Sequence, residues 1–411
     1  MANTPNSPTV SIELSNNNIY PSVPLLGVSH IVAVTEKGPF NDPSDLIYNI
    51  GQFKSKFGSE TMPDGSISNI EMALRMGSIL RISRVNGTTE LADTKAPAWI
   101  AAIEAFKDFS DGYQLTCSGI NQHITTSEEL DKVHIAAGTM VSADKESVYY
   151  IEVPKYKTGT TPNDEEAMVA WVTALIAKVK NSPYVAFFAG GWKYYDSTGV
   201  LQNCDTIGTV IGLGDASASN YGPWYSFAGQ TRGLVTDARG IVSKNYGAPS
   251  NYTKLDAMAK AYINTSVIKD TKNYGKQPMQ WHNFTTSLED SSEKYLSVVR
   301  LILYLKKVLR PILESYLEEP NTFSTWSNLF YEVKPLLEDL KNRKALTEWS
   351  WNGDQFATNY NELSINNEAD VRKGKYVAQL VFKEVVALQN ITLNLVIDSV
   401  EGVSLEPARS F

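Results

Sequence analysis

Four histidines, His30, His123, His134 and His282, are the residues best suited to move a proton or hold a metal near neutral pH. They are scattered, and no two stand at metal-ligand spacing. The only cysteines, Cys117 and Cys204, are far apart, and neither has a second cysteine two to four residues away, so a structural zinc is not indicated. The plainer reading is two packed, reduced thiols. No G-x-S-x-G elbow and no glycine–lysine phosphate loop occurs. The nearest lookalike, Gly208 to Ser217 (GTVIGLGDAS), lacks a final glycine and an acidic residue in the right context, so it reads as a strand passing into a loop. Glu318 and Glu319 are adjacent at a helix end, where neighbouring side chains point apart into solvent. The residues therefore assign no catalytic, cofactor-binding or metal-binding set.

With no chemistry to anchor, the elements that would position a site must be read for themselves. The chain has 411 residues, which suits two or three domains, and 43% hydrophobic with 20% charged residues is ordinary globular composition. A net charge of −8 and a pI near 5.2 argue against a nucleic-acid partner. No run approaches the eighteen or so apolar residues of a spanning helix. The opening MANTPNSPTV carries neither a basic nor an apolar leader segment, so no signal peptide is expected.

Prolines at 5, 8, 21 and 24 punctuate the first 24 residues. Between them Val10, Ile12 and Leu14 alternate with Ser11 and Glu13. This short strand either edges the chain's own sheet or leaves its body to join a neighbour's. From Val28 the run VSHIVAVT is nearly continuously apolar, as in a strand covered on both faces. Helical patterns over Asp45–Phe57 and Ser68–Met76 lead to a strand at Ile79–Val85. Further helices are expected at Ala96–Asp108, Pro162–Val179 and Tyr252–Tyr262, with strands at Tyr113–Ser118, Val148–Val153, Tyr184–Phe188 and Ile207–Leu213. The alternation predicts an α/β layer over 25–285, allowing a small excursion around 86–150.

The last third differs. A long helix is expected from about Leu288, kinked at Pro311, and a second over Ser324–Lys344. Then come two strand patterns. In Lys375–Val385, Tyr376, Ala378, Leu380 and Phe382 share a face; in Ile391–Val400, Ile391, Leu393, Leu395 and Ile397 alternate with polar or smaller residues. Residues 286–411 thus form an α+β unit with too few strands for an independent sheet.

Several segments then line up in an order that resembles the contractile tail sheath proteins of phage tails, R-type bacteriocins and extracellular contractile injection systems. They are IVAVTEKGP at 31–39 with Gln52-Phe53 and Phe57-Gly58; Ile79–Val85; Tyr221-Gly222-Pro223-Trp224-Tyr225 with Ala228-Gly229 and Arg232-Gly233; Leu255-Asp256 with Ile263-Asn264; Arg300–Leu305; Glu319-Pro320-Asn321 with Trp326; and the tail from Asp370-Val371 and Gly374 to Ile397. Tyr262 stands where that family commonly has glycine. The likeness spans nearly the whole chain.

The resemblance implies a subtilisin-like α/β sheath domain at 25–285, an α+β C-terminal domain at 286–390, and extended arms at 1–24 and 391–411. It implies a helical homopolymer around an inner tail tube protein, bounded by baseplate and tail terminator proteins, in a virion tail or tail-like particle assembled in the bacterial host cytoplasm. Val10, Ile12 and Leu14 would form one exported strand and Ile391–Val400 the other. Lys375–Val385 would receive such strands by β-augmentation, each buried arm side chain giving about 1.5–3 kcal/mol before ordering costs. Lys334, Lys341, Arg343 and Lys344 are candidate tube contacts; the plainer reading is that late basic residues complement the helix dipole. No enzymatic activity, nucleic-acid binding or membrane insertion is expected. A tube or baseplate component, or a subtilisin-fold hydrolase, would be the alternatives. The two-protein secretion-system type of sheath splits these regions between chains, whereas here one chain holds both.

Overall fold

A computed structural model describes residues 27–86, 95–154, 157–158, 161–162, 165–179, 182–196, 198–287, 291–352, 366 and 371–387. The described chain runs β1 (Val28–Ala33), α1 (Ile50–Phe57), α2 (Asn69–Arg75), β2 (Ile79–Arg84), α3 (Lys95–Glu104), β3 (Gln114–Cys117), α4 (Ser127–Asp144), β4 (Val148–Glu152), α5 (Glu165–Val179) and β5 (Val185–Ala189). It continues through a hairpin of β6 (Trp192–Tyr195) and β7 (Leu201–Cys204), then α6 (Thr206–Asn220), α7 (Tyr252–Lys260), β8 (Ile263–Thr271) and β9 (Gly275–Gln280). Last come α8 (Leu296–Ser315), α9 (Phe323–Asn342), β10 (Leu346–Asn352) and β11 (Gln379–Glu384).

Seven strands form the central sheet in the order β9-β8-β5-β4-β3-β1-β2, parallel except for the β8–β9 pair. All six residues of β1 are buried, as a parallel strand covered by helices on both faces requires. Residues 95–152 supply β3 and β4 in the middle of this sheet. The helices start where their caps allow. Asn49 accepts from the Gln52 amide at α1, and Ser68 accepts from the Glu71 amide at α2.

One expected strand is a helix. Ile207–Leu213 lies inside α6, whose buried positions run from Thr206 to Gly214 without interruption. A short apolar run buried all round has no periodicity that separates helix from strand. The glycines are explained by packing. A Cβ at Gly208 would meet the Asn69 backbone at 2.5 Å, one at Gly212 would meet Met76 at 2.6 Å, and one at Gly214 would meet Gln114 at 2.6 Å. They let α6 sit directly on α2 and the sheet.

The long helix α8 begins at Leu296, later than its sequence pattern suggests, and continues through Pro311. From Leu296 to Leu309 every residue is buried, including Arg300, Lys306 and Lys307. One apolar core runs from the sheet through α8 to α9, β10 and β11. Strand β10 was not anticipated. It pairs antiparallel with β11, Trp349 opposite Phe382 and Trp351 opposite Leu380, with an irregularity between Leu346 and Glu348.

Candidate functional site

In a sheet whose order includes 2-1-3-4-5, ligands bind at the carboxyl ends of the strands where β1 and β3 part. Here that place is filled. Glu60 accepts from Ser68 Oγ at 2.6 Å, from the Ile70 amide at 3.1 Å and from Ser118 Oγ. Glu152 accepts the first amide of α6, from Thr206, at 2.6 Å, and Asp205 accepts from Gln122 Nε2 at 2.8 Å. Burial pushes the Glu60 carboxyl above its ordinary range, partly countered by its donors. Such carboxylates satisfy helix N-termini and cross-link loops.

Several other strongly perturbed groups are likewise enclosed. Burial pushes Asp215 up to about 7 while Ser29, Gln114 and Arg300 face it. Burial brings His134 down to about 3 and His282 to about 4. Both cysteines are buried thiols, with burial raising Cys117 to about 12. Among the described residues no group of three His, Cys, Asp or Glu side chains could hold a metal ion, and no described helix is long and apolar enough to cross a membrane.

A different kind of site exists among the C-terminal elements. Strands β10 and β11 form a sheet of two strands. One face lies on α9: Leu380 and Phe382 are buried, and Phe330 meets the rings of Trp349 and Trp351 at 6.5 and 6.1 Å. The opposite face presents Glu348, Ser350, Val381 and Lys383 to solvent, with Lys383 paired to Glu348 at 2.6 Å. Among the described residues no third strand pairs with either outer edge. Of the receiving-strand residues, Leu380 and Phe382 belong to β11. Tyr376 and Ala378 precede the strand, because Tyr376 is stacked on Trp326 at 5.0 Å and the Asn366 side chain brackets the Val377 backbone. The exported-strand candidates Val10, Ile12, Leu14, Ile391, Leu393, Leu395 and Ile397 lie outside the described residues.

The four tube-contact candidates do not form one cluster. Lys334 and Lys341, seven residues apart, are exposed on the outer side of α9, and Lys344 follows the helix in left-handed backbone at φ 60. Arg343 is engaged within the subunit. Its guanidinium lies 4.7 Å from the Trp224 ring centroid, and its carbonyl accepts from Trp224 Nε1 and Tyr225 Oη, each at 3.3 Å. The GPWY segment thus grips the end of α9, a contact between residues 119 apart with no local sequence signal.

A second attachment was equally hidden in the sequence. Lys306 donates to the carbonyls of Asp144 and Lys145 and to Glu146, which also receives Arg310; Lys307 donates to the Ser110 carbonyl. Burial would raise the Glu146 carboxyl, but Lys307, Arg310 and Lys306 hold it below its usual value. Cations on α8 thus tie that helix to the 110 and 144–146 loops of the α/β layer.

No protein-family model and no curated protein matches the sequence. The fold does match solved structures. The contracted helical sheath of the anti-feeding prophage superimposes with a TM-score of 0.65 at 14% identity, over 97% of this chain and 100% of that one. A chain from the baseplate of the same particle gives 0.64 at 14% identity, with 97% and 100% covered. The contracted sheath complex of PVC, an extracellular contractile injection system, gives 0.61 at 13% identity, with 97% and 99% covered. The chain therefore has the fold of contractile-sheath subunits, as the resemblance in its sequence implied.

Proposed function

We propose that this protein is a structural subunit of a contractile tail sheath. Copies polymerise helically around an inner tube and contract to drive that tube through a cell envelope. The observation that carries the reading is the two-stranded sheet β10–β11. It has a packed inner face and two outer edges with no strand on them among the described residues, in a chain whose fold covers sheath subunits end to end. Two strands are marginal alone, and a strand donated by another copy would complete the ladder and cover more of the aromatic face.

On this reading residues 1–24 and 391–411 are the exchanged arms. The α/β unit at 25–285 is the subtilisin-like sheath domain, and residues 286–390 carry the receiving sheet. Lys334, Lys341 and Lys344 on or beside α9 face the tube, while Arg343 fixes the helix end. The role is mechanical, and the protein resides in a tail or tail-like particle, with baseplate and terminator proteins closing its ends. Purified protein should form hollow, ridged cylinders in negative-stain micrographs, and deletion of residues 1–15 should leave folded, soluble subunits that form none. Normal cylinders from that truncation would refute the arm assignment. The likeness to a baseplate chain favours one second reading, a terminal sheath-fold ring at the baseplate; it expects closed rings and no cylinders.

A further inference from the structure

The corner where α8 passes into α9 carries two exposed charged segments of opposite sign. The first is the turn Arg372-Lys373-Gly374-Lys375, exposed throughout, in a chain whose net charge is −8. This turn is built. Gly374 takes φ 74, where a side chain is disfavoured, and its amide donates to the Val371 carbonyl at 2.9 Å. Asn321 Nδ2 donates to the carbonyls of Val371 and Lys375, each at 3.2 Å, bracketing the turn. Trp326 then holds Asn321 through a 2.7 Å bond from Nε1 to Oδ1, while its ring stacks on Tyr376.

The second segment precedes the same Asn321 in the chain: Glu314, Glu318 and Glu319, all exposed. Glu314 lies in the last turn of α8 and the other two follow it. A helix C-terminus disfavours negative charge, and no basic residue occupies that last turn. Glu318 also takes φ 66, an unusual conformation for a residue with a side chain. These acids oppose the local helix. Among the described residues, neither they nor Lys373 and Lys375 enter an ion pair within the subunit.

We propose that the cationic turn is an electrostatic contact between copies of this chain, its occupant being the Glu314–Glu319 corner of a second copy. The inference rests on the self-assembly reading above and adds a contact that strand exchange does not require. A chain carrying both signs at one corner can be head to one neighbour and tail to another, the heterologous arrangement that propagates a helix. The contact is exposed, so salt screens it.

The test uses two charge-reversed full-length variants, K373E/K375E and E318K/E319K, each checked for native circular dichroism. The first presents acid on both segments and the second presents base on both. Each alone should raise the critical concentration for cylinder formation at least ten-fold, and an equimolar mixture should restore it to within two-fold of wild type. The mixture should also associate in sedimentation at low salt, whether or not cylinders form, and dissociate toward 1 M salt. Wild type that forms no cylinders would count against the sheath reading. Wild-type cylinders with either variant assembling unimpaired, or a mixture no better than its components in both measurements, would overturn the electrostatic contact. Failure of the mixture with loss of tube binding alone would point to the tube as occupant and overturn it equally.

Discussion

The largest sheet of this molecule and the two-stranded sheet of its C-terminal elements treat their edges in opposite ways. The seven-stranded sheet closes both of its own. Along β2, Ile47 and Leu80 exchange backbone hydrogen bonds at 2.8 and 2.9 Å, and Phe40 bridges to Arg84. Along β9, the Gln280 amide donates to Gly233, the Val235 amide donates to Pro278, and Pro278 itself has no donor to offer. The β10–β11 pair has no such cover among the described residues, although one of its faces is packed with Trp349, Trp351, Leu380 and Phe382. An exposed strand edge is a liability that chains normally blunt. On the reading proposed above, blunting it in one sheet and not in the other among the described residues makes the small sheet the place where a strand of another copy would arrive.

The same substitution in each sheet breaks the comparison most directly. Phe187 in β5 is fully buried, with Trp171 edge-on at 6.1 Å. Phe187→Ala should cost about 3–5 kcal/mol through lost transfer energy and a cavity, read as a lower urea midpoint with assembly lost alongside folding. Phe382→Ala should cost less in the isolated subunit, about 2 kcal/mol or under, because the small sheet can open locally without unfolding the rest. Yet it should abolish cylinders, and hydrogen exchange should quicken over 346–352 while β1 to β5 stay protected. Equal global losses from the two variants would show that the small sheet is no separate, yielding element.

A smaller effect concerns the buried polar centre under α8. Asp215 is wholly buried among Ser29, Ser78, Gln114 and Arg300, and burial pushes it up to about 7. A carboxyl whose folded pKa lies above its unfolded value of about 4 binds its proton more tightly when folded. Its contribution to stability is therefore full below about pH 4 and is lost as pH rises toward 7. Asp111, held near 2 by His30 and Arg81 against the effect of burial, slopes the other way at lower pH. The difference between wild-type and Asp215→Asn stability should isolate the first group, with wild type falling relative to the variant between pH 4 and 7. A flat difference across that window would mean that Asp215 is ionised in the folded protein throughout.

Much of this was legible in the sequence because it is local. The apolar run of β1 and the stripes of α8 and α9 each write their structure within a few turns. What failed was what depends on distant partners. The Ile207–Leu213 run became helix because three glycines fit against Asn69, Met76 and Gln114. The contact of Arg343, a candidate tube contact or helix-dipole cation in the sequence, with the Trp224 ring has no local pattern to announce it. Strand β10 has no clear sequence signature because its partner lies across a long polar segment and its tryptophans are only partly buried.

Tyr262 makes the smallest and sharpest case. The sequence resemblance marks it as a departure, since the family commonly has glycine there, and the backbone explains why glycine would be the easier choice. Tyr262 has φ 61, at the tight junction where α7 gives way to β8. Holding a residue with a Cβ in left-handed backbone costs about 1–2 kcal/mol, and the tyrosine ring, only partly buried, returns some of that. Tyr262→Gly should therefore be neutral or stabilising by up to about 1 kcal/mol, whereas Tyr262→Val should be clearly worse, because a β-branched residue tolerates positive φ least. Thermal midpoints of the two variants give the ordering. If valine were tolerated as well as glycine, the junction would be relaxing to another conformation, and the strain at this position would play no part in how β8 enters the central sheet.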